Sequence, residues 1–106
     1  MTLTREAQKG FEEWYLANYI YNHREDYIRF GDANVLRKFY RMHEAMQFGV
    51  YQDYADSVGI YLNTILCGGF MIKYKAIVNL VDVGSFNTRP EARTAAIEKL
   101  DEILNN

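Results

Sequence analysis

The tightest constraint on how this chain folds lies near its end, in Thr88-Arg89-Pro90-Glu91. Thr88 and Glu91 have the spacing of a capping box. The Thr88 hydroxyl can accept the backbone N–H of Glu91, and the Glu91 carboxylate can reach back to the N–H of Thr88. Pro90 falls in the first turn, where a missing N–H costs nothing. A helix therefore starts here, with Ala92, Ala96, Leu100, Ile103 and Leu104 turned to the core. The small residues near its start suit close packing on a sheet. Arg89 and Arg93 flank the cap. Glu91 already competes for the positive end of the helix and no glycine-rich approach precedes it, which argues against an anion site.

Upstream, the apolar period is helical as far as Gly59. Thr4 reads as the N-cap of a first helix running to about Asn22. Ala7, Phe11, Trp14, Tyr15, Asn18 and Tyr21 share one face, and Leu16 and Ile20 fall on the opposite one. The second half of this helix is thus apolar nearly all round, so another element or a second molecule must cover it. Arg24 to Phe30 reads as a helical turn, with Gly31 taking the left-handed conformation after it. Asp32 reads as the N-cap of a second helix whose face carries Leu36, Phe39, Tyr40, His43 and Gln47. A third stretch runs from Glu44 to Val58. Its apolar side is Met46, Val50, Tyr51, Tyr54 and Val58, and its polar side is Gln52, Asp53, Asp56 and Ser57. The pattern leaves open whether the second and third stretches form one helix or two.

After Gly59 the period becomes two. Ile60–Cys67 reads as a strand, Gly68-Gly69 as a two-residue hairpin loop, and Phe70 to Val81 as the returning strand. This register pairs Cys67 with Phe70, Ile65 with Ile72 and Asn63 with Tyr74. Phe70, Ile72, Tyr74, Ala76, Val78 and Leu80 then share one face, and Lys73, Lys75 and Asn79 the other. The returning strand overhangs its partner, leaving an edge to be covered. The expected fold is a single α+β domain over residues 1–106. Three N-terminal helical segments lead to a two-stranded antiparallel hairpin, and a C-terminal helix packs on it.

Composition narrows the function classes. A chain of 106 residues supports one domain with one core. The formal net charge of −2 argues against binding nucleic acid by bulk charge. Cys67 is the single cysteine, so no internal disulfide forms, and a reducing compartment is the simplest setting. The start has no apolar signal core and no apolar run approaches a membrane span, which together predict a cytoplasmic protein with no membrane partner. Aromatic residues make up 15% of the chain, as nine Tyr, six Phe and one Trp, enough to fill a small core or to face a partner.

Four constellations could carry chemistry. His43-Glu44-Ala45-Met46-Gln47 resembles the zinc motif HExxH with its second histidine replaced, which removes a ligand. No metal, cofactor or catalytic residue is therefore assigned, and His43 reads as a helix-face residue that bonds locally. Asp53 and Asp56, with Ser57, could work as paired carboxylates. With His43 they make a weak polar cluster, against the plainer reading of a solvated face. Cys67 has no neighbouring histidine to activate it and reads as a small hydrophobe. Arg24, Arg29, Arg37, Lys38 and Arg41 interleave with Tyr27, Phe30, Phe39 and Tyr40, as in single-strand platforms. Glu25, Asp26 and Asp32 cut the charge excess, so nucleic acid is not the expected partner.

Phe11-x-x-Trp14, the stretch from Met46 to Gly59 and Thr88-Arg89-Pro90-Glu91-Ala92-Arg93 together resemble a group of small uncharacterised proteins of Bacteroidetes genomes, prophages and mobile elements. The resemblance implies a cytoplasmic setting and a mobile-element origin. It brings no activity and no site residues, and His43 stands where it leads one to expect proline.

The leading expectation is a non-enzymatic interaction protein that self-associates as a homodimer or meets another protein, through Trp14, Leu16, Ile20 and Tyr21 on the first helix. The competing expectations are a small-ligand binder or enzyme built on His43, Asp53 and Asp56, and a single-stranded nucleic-acid binder.

Overall fold

The computed structural model describes residues 2–19, 31–69 and 71–106, and among these residues three helices precede a sheet. They are α1 (Arg5–Tyr19), α2 (Asp32–Tyr40) and α3 (Glu44–Ser57). The expected stripe on α1 is the buried one: Ala7, Phe11 and Tyr15 are sealed. The Phe11 ring centre lies 4.7 Å from that of Tyr51, 5.0 Å from Phe39 and 5.4 Å from Tyr54. Much of the aromatic excess thus fills the core, where tilted ring pairs add to area burial. Thr4 stands just ahead of α1, and its carbonyl accepts the Gln8 N–H at 3.1 Å. Its hydroxyl, expected to cap α1, instead donates to Asp101 at 2.8 Å, and its N–H donates to the same carboxylate at 2.7 Å. The start of the chain is thereby fastened to the last helix. The expected end of the first helix near Asn22, and the turn over Arg24–Phe30, lie outside the described residues.

The second and third helical stretches are two helices, joined by Arg41-Met42-His43. Gly31, at φ 78°, holds the N-cap position of α2, with Asp32 inside the first turn rather than at the cap. Val35 and Phe39 are the residues α2 buries, with Leu36 and Tyr40 packed partly against them. His43 caps α3: its Nδ1 accepts the Ala45 N–H at 3.2 Å. Gln47, nearly sealed, donates its Nε2 to the Phe39 carbonyl at 3.1 Å and so satisfies the end of α2. The buried set of α3 is Gln47, Phe48, Tyr51, Tyr54 and Ala55, while Met46 and Val58 are exposed. The apolar face is thus rotated from the expected one towards Phe48 and Ala55. At the far end Gly59, at φ 79°, closes a Schellman motif. Its N–H donates to the Asp56 carbonyl at 3.1 Å, and the Ile60 N–H donates to Ala55 at 2.8 Å. Ile60 and Ala55 are both buried, which supplies the hydrophobic contact this motif favours.

The α+β class holds, but the sheet has three antiparallel strands rather than two, in the order β1-β2-β3. They are β1 (Leu62–Cys67), β2 (Lys73–Val78) and β3 (Val81–Phe86). The run expected as one long strand to Val81 is folded at Asn79, whose φ is 57°, so that Val78 pairs with Val81. Asparagine tolerates positive φ better than other residues with a side chain. Here it is also held at both ends. The Asn79 N–H donates to the Tyr61 carbonyl at 2.7 Å, and its Oδ1 accepts the Tyr61 N–H at 3.0 Å. The overhanging edge is thus paired with the chain's own next strand.

The first hairpin also differs. Neither Gly68 nor Gly69 takes positive φ, and the tight two-residue turn does not form: β1 ends at Cys67 and β2 begins at Lys73. Cys67 pairs with Lys73, Ile65 with Lys75 and Asn63 with Ile77. Phe70, the expected partner of Cys67, lies outside the described residues. The shift is by an odd number of residues, which inverts the alternation of β1. Leu62 therefore faces the core beside Ala76 and Val78, and all three are buried. Ile72 and Leu80, expected on the inner face, are exposed.

Helix α4 (Arg89–Leu104) packs across all three strands. Thr88 caps it as expected, its Oγ1 accepting the Glu91 N–H at 3.3 Å. The return half differs: the Thr88 hydroxyl donates to Glu91 Oε1 at 2.8 Å. Ala92, Ala96, Ile97 and Leu100 are buried, and Ile103 and Leu104 pack partly on the core. Arg93 pairs with Glu44 and ties α4 to the start of α3.

Candidate functional site

The residues that carried chemical promise have structural duties. In the HExxQ stretch, His43 caps α3, Glu44 pairs with Arg93, and Gln47 closes α2. His43 stands at the N-terminus of α3, whereas Asp53 and Asp56 lie on its last turns, about 15–20 Å along the axis at 1.5 Å per residue. The structure does not bring these three together. Asp53 and Asp56 are exposed, Asp53 accepts the Tyr19 hydroxyl at 3.2 Å, and the Ser57 hydroxyl donates to the Tyr54 carbonyl at 2.6 Å. Among the described residues no group of three or more His, Cys, Asp or Glu side chains is placed so that it could hold a metal ion. Cys67 is half-buried at the end of β1.

The other sequence-derived surfaces fare unevenly. Trp14 is half-buried, with its ring 5.3 Å from Tyr54 and 5.7 Å from Tyr19. Leu16 also packs partly on the core. Ile20 and Tyr21 lie outside the described residues. Arg37, Lys38 and Arg41 are exposed, but the rings beside them turn inward. Phe39 is sealed. Tyr40 is half-buried and donates to Glu12 Oε2 at 3.0 Å. Burial, and then this bond to Glu12, push the Tyr40 phenol above its ordinary value. A stacking platform needs exposed rings beside the cations, and these two are otherwise engaged. Arg24, Tyr27, Arg29 and Phe30 lie outside the described residues.

What sequence reasoning missed is the surface of the sheet. Helix α4 covers one face, and among the described residues no helix lies across the other. The open face carries Ile65, 41% exposed, half-buried Ile77, and the Lys75–Asp82 ion pair at 3.0 Å. That pair holds the Asp82 carboxyl below its usual range, chiefly through the Lys75 hydrogen bond. Exposed apolar side chains also cluster at both ends of the sheet. Leu66, Met71 and Ile72 sit at the first loop, and Tyr61, Leu80 and Val81 at the second turn, where Leu80 is 97% exposed. The signal for the second cluster was Asn79 interrupting an apolar run, a turn residue whose neighbours have no core to enter.

Both sheet edges are partly spent. On β1 the Leu62 carbonyl accepts Gln52 Nε2 at 2.9 Å, and the Thr64 N–H donates to Asn63 Oδ1 at 2.9 Å. On β3 a bulge between the Asp82 and Gly84 pairings interrupts the ladder, and the Gly84 N–H donates to Asp82 Oδ1 at 2.9 Å. Such devices blunt an edge against strand addition. A groove of about 410 Å³ runs between β3 and α4, lined by Phe86, Pro90, Glu91, Thr94, Ala95 and Glu98. It continues past Val83 to Lys99 and Glu102.

No family model matches the chain, and neither a curated protein nor a solved structure matches it significantly.

Proposed function

We propose that the chain is a non-enzymatic protein-interaction module that self-associates through the open face and ends of its sheet. The observation that supports this reading is the concentration of exposed apolar side chains on the sheet, while the chemistry-bearing side chains are taken up by caps and ties. An uncovered patch of that kind marks an interaction surface. Contact through the face is favoured over edge pairing, because Gln52, Asn63 and Asp82 occupy backbone groups that a pairing strand would use. A cytoplasmic setting and a phage or mobile-element origin belong to the same proposal. They rest on the single cysteine and on the resemblance of the Met46–Gly59 and Thr88–Arg93 stretches, and gene neighbourhood tests the second. The test of self-association is light scattering after size exclusion, from low to high micromolar protein. The mass should rise towards a dimer with concentration, and Ile65→Lys with Met71→Lys should hold it at the monomer. A strict monomer at high micromolar concentration removes the reading.

A further inference from the structure

The geometry points to the groove between α4 and β3 as a docking site for a basic peptide segment with an apolar anchor, on a surface separate from the open sheet face. Its floor is apolar: Val83 and Phe86 from β3, and Pro90 and Ala95 from α4. Val83 and Phe86 both pack towards α4 although three residues apart, because the bulge in β3 resets the alternation. The rim is acidic. Glu91, Glu98 and Glu102 stand along one flank of α4, and among the described residues only Glu102 of the three has an ion-pair partner, Lys99 at 3.2 Å. At 1.5 Å per residue, Glu91 and Glu98 lie about 10 Å apart and Glu98 and Glu102 about 6 Å. An extended segment covers about 10 Å in three residues and about 6.6 Å in two, so lysines or arginines at such intervals can meet the row.

The charge row selects the occupant. A second copy placed here across a two-fold axis would set one row of glutamates against the other, and like charges facing each other oppose association. A basic partner meets the opposite condition. Full strand addition is hindered, because the bulge interrupts β3 and Asp82 holds the Gly84 N–H. The segment therefore binds through its side chains, an apolar residue over Phe86 and Ala95 and cations at the rim.

The test is titration of the isotopically labelled full chain, followed by NMR, with three synthetic peptides: one of lysines around a central tryptophan, the same with glutamate for lysine, and the same with serine for tryptophan. The lysine–tryptophan peptide should shift the amides of Phe86, Ala95 and Glu98 and weaken as salt is added. The other two should bind at least about fivefold more weakly, roughly 1 kcal/mol. Glu98 is exposed and donates nothing to the core, so Glu98→Lys should keep the spectrum of the fold. It should weaken the lysine peptide and strengthen the glutamate one. Shifts centred on Ile65 and Ile77, equal binding of all three peptides, or indifference to Glu98→Lys would each overturn the proposal. None of these outcomes depends on whether the chain self-associates, which the scattering measurement reads separately.

Discussion

Phe11 and Ile65 are both large apolar residues on regular elements, yet their surroundings have little in common. Phe11 is sealed, with the rings of Trp14, Tyr15, Phe39, Tyr51 and Tyr54 centred 4.7 to 6.1 Å from its own. Ile65 lies on the open face of the sheet, 41% exposed, across from Lys75. The helical region is held by a ring cluster that closes from all sides. The sheet is held by α4 on one face, by α3 at the β1 edge through Gln52, and by its own ladder. The first arrangement leaves little for a partner, and the second leaves a face free. The largest expected effect breaks or keeps this contrast directly. Phe11→Ala should cost about 3–5 kcal/mol of unfolding free energy, and Ile65→Ala less than about 1 kcal/mol, both read from urea midpoints on dilute protein. Similar losses at the two positions would show that the open face is held by something other than the ladder.

The same contrast should appear in alkaline solution. Burial, and then the Tyr19 charge, push the Tyr15 phenol up to about 12. Burial also raises Tyr40, Tyr51 and Tyr54 above their ordinary value, and all four tyrosines belong to the helical region. A raised folded value means that the neutral phenol is favoured by folding. The contribution is therefore complete below the unfolded value of about 10 and is lost as pH climbs from there through 12. Urea midpoints should be level from pH 8 to 9.5 and fall steeply above 10. Tyrosinate absorbance should rise together with unfolding. Ionisation of these phenols near pH 10 in the still-folded chain would show that the ring cluster is open to water.

Backbone devices give the next smaller effect. Gly59 holds positive φ at the end of α3, and Gly59→Ala should cost about 1–2 kcal/mol by the left-handed penalty. At the sheet, Asn79→Gly should cost less, because glycine meets the positive φ and only the side-chain bond to Tyr61 is lost. Thermal melts of the two variants compare them. A larger loss at Asn79 would mean that the turn pins the sheet more firmly than the Schellman motif pins the helix.

These devices also explain what was legible in the sequence. Gly59 and the Thr88 cap could be read because each acts on backbone within a few residues of itself, and local chemistry decides the outcome. The sheet could not be read in the same way. Two adjacent glycines suggested a tight turn, but burial of Leu62 against Ala76 and Val78 sets a register offset by an odd step. Asn79 sat inside a run apolar enough to pass for one strand, and its turn is held by Tyr61, which lies far back in the chain. The α3 face was misjudged for a related reason, since Phe48 and Ala55 gain their cover from elements that the helix's own period does not encode. For function, the candidate residues could be found by type. Their duties could not, because Arg93 and Phe39, the partners of Glu44 and Gln47, are supplied by other elements.

The smallest effect concerns one atom inside the ring cluster. Tyr51 is fully buried, and its hydroxyl has no hydrogen-bond partner among the described residues. The Leu3 backbone beside it favours its charged form without making a hydrogen bond to it. A buried hydroxyl without a partner keeps its desolvation cost and gains nothing in return. Tyr51→Phe should therefore leave stability unchanged or raise it by up to about 1 kcal/mol, with the ring contacts to Phe11 and Phe39 intact. Tyr40→Phe is the control in the same cluster. It removes a donor from Glu12, which among the described residues keeps the longer Gln8 bond at 3.4 Å, so it should destabilise by about 1 kcal/mol. A loss at Tyr51 as large as that at Tyr40 would mean that water reaches the hydroxyl. The cluster around Phe11 would then be less closed than its ring distances imply, and the two regions more alike than their packing suggests.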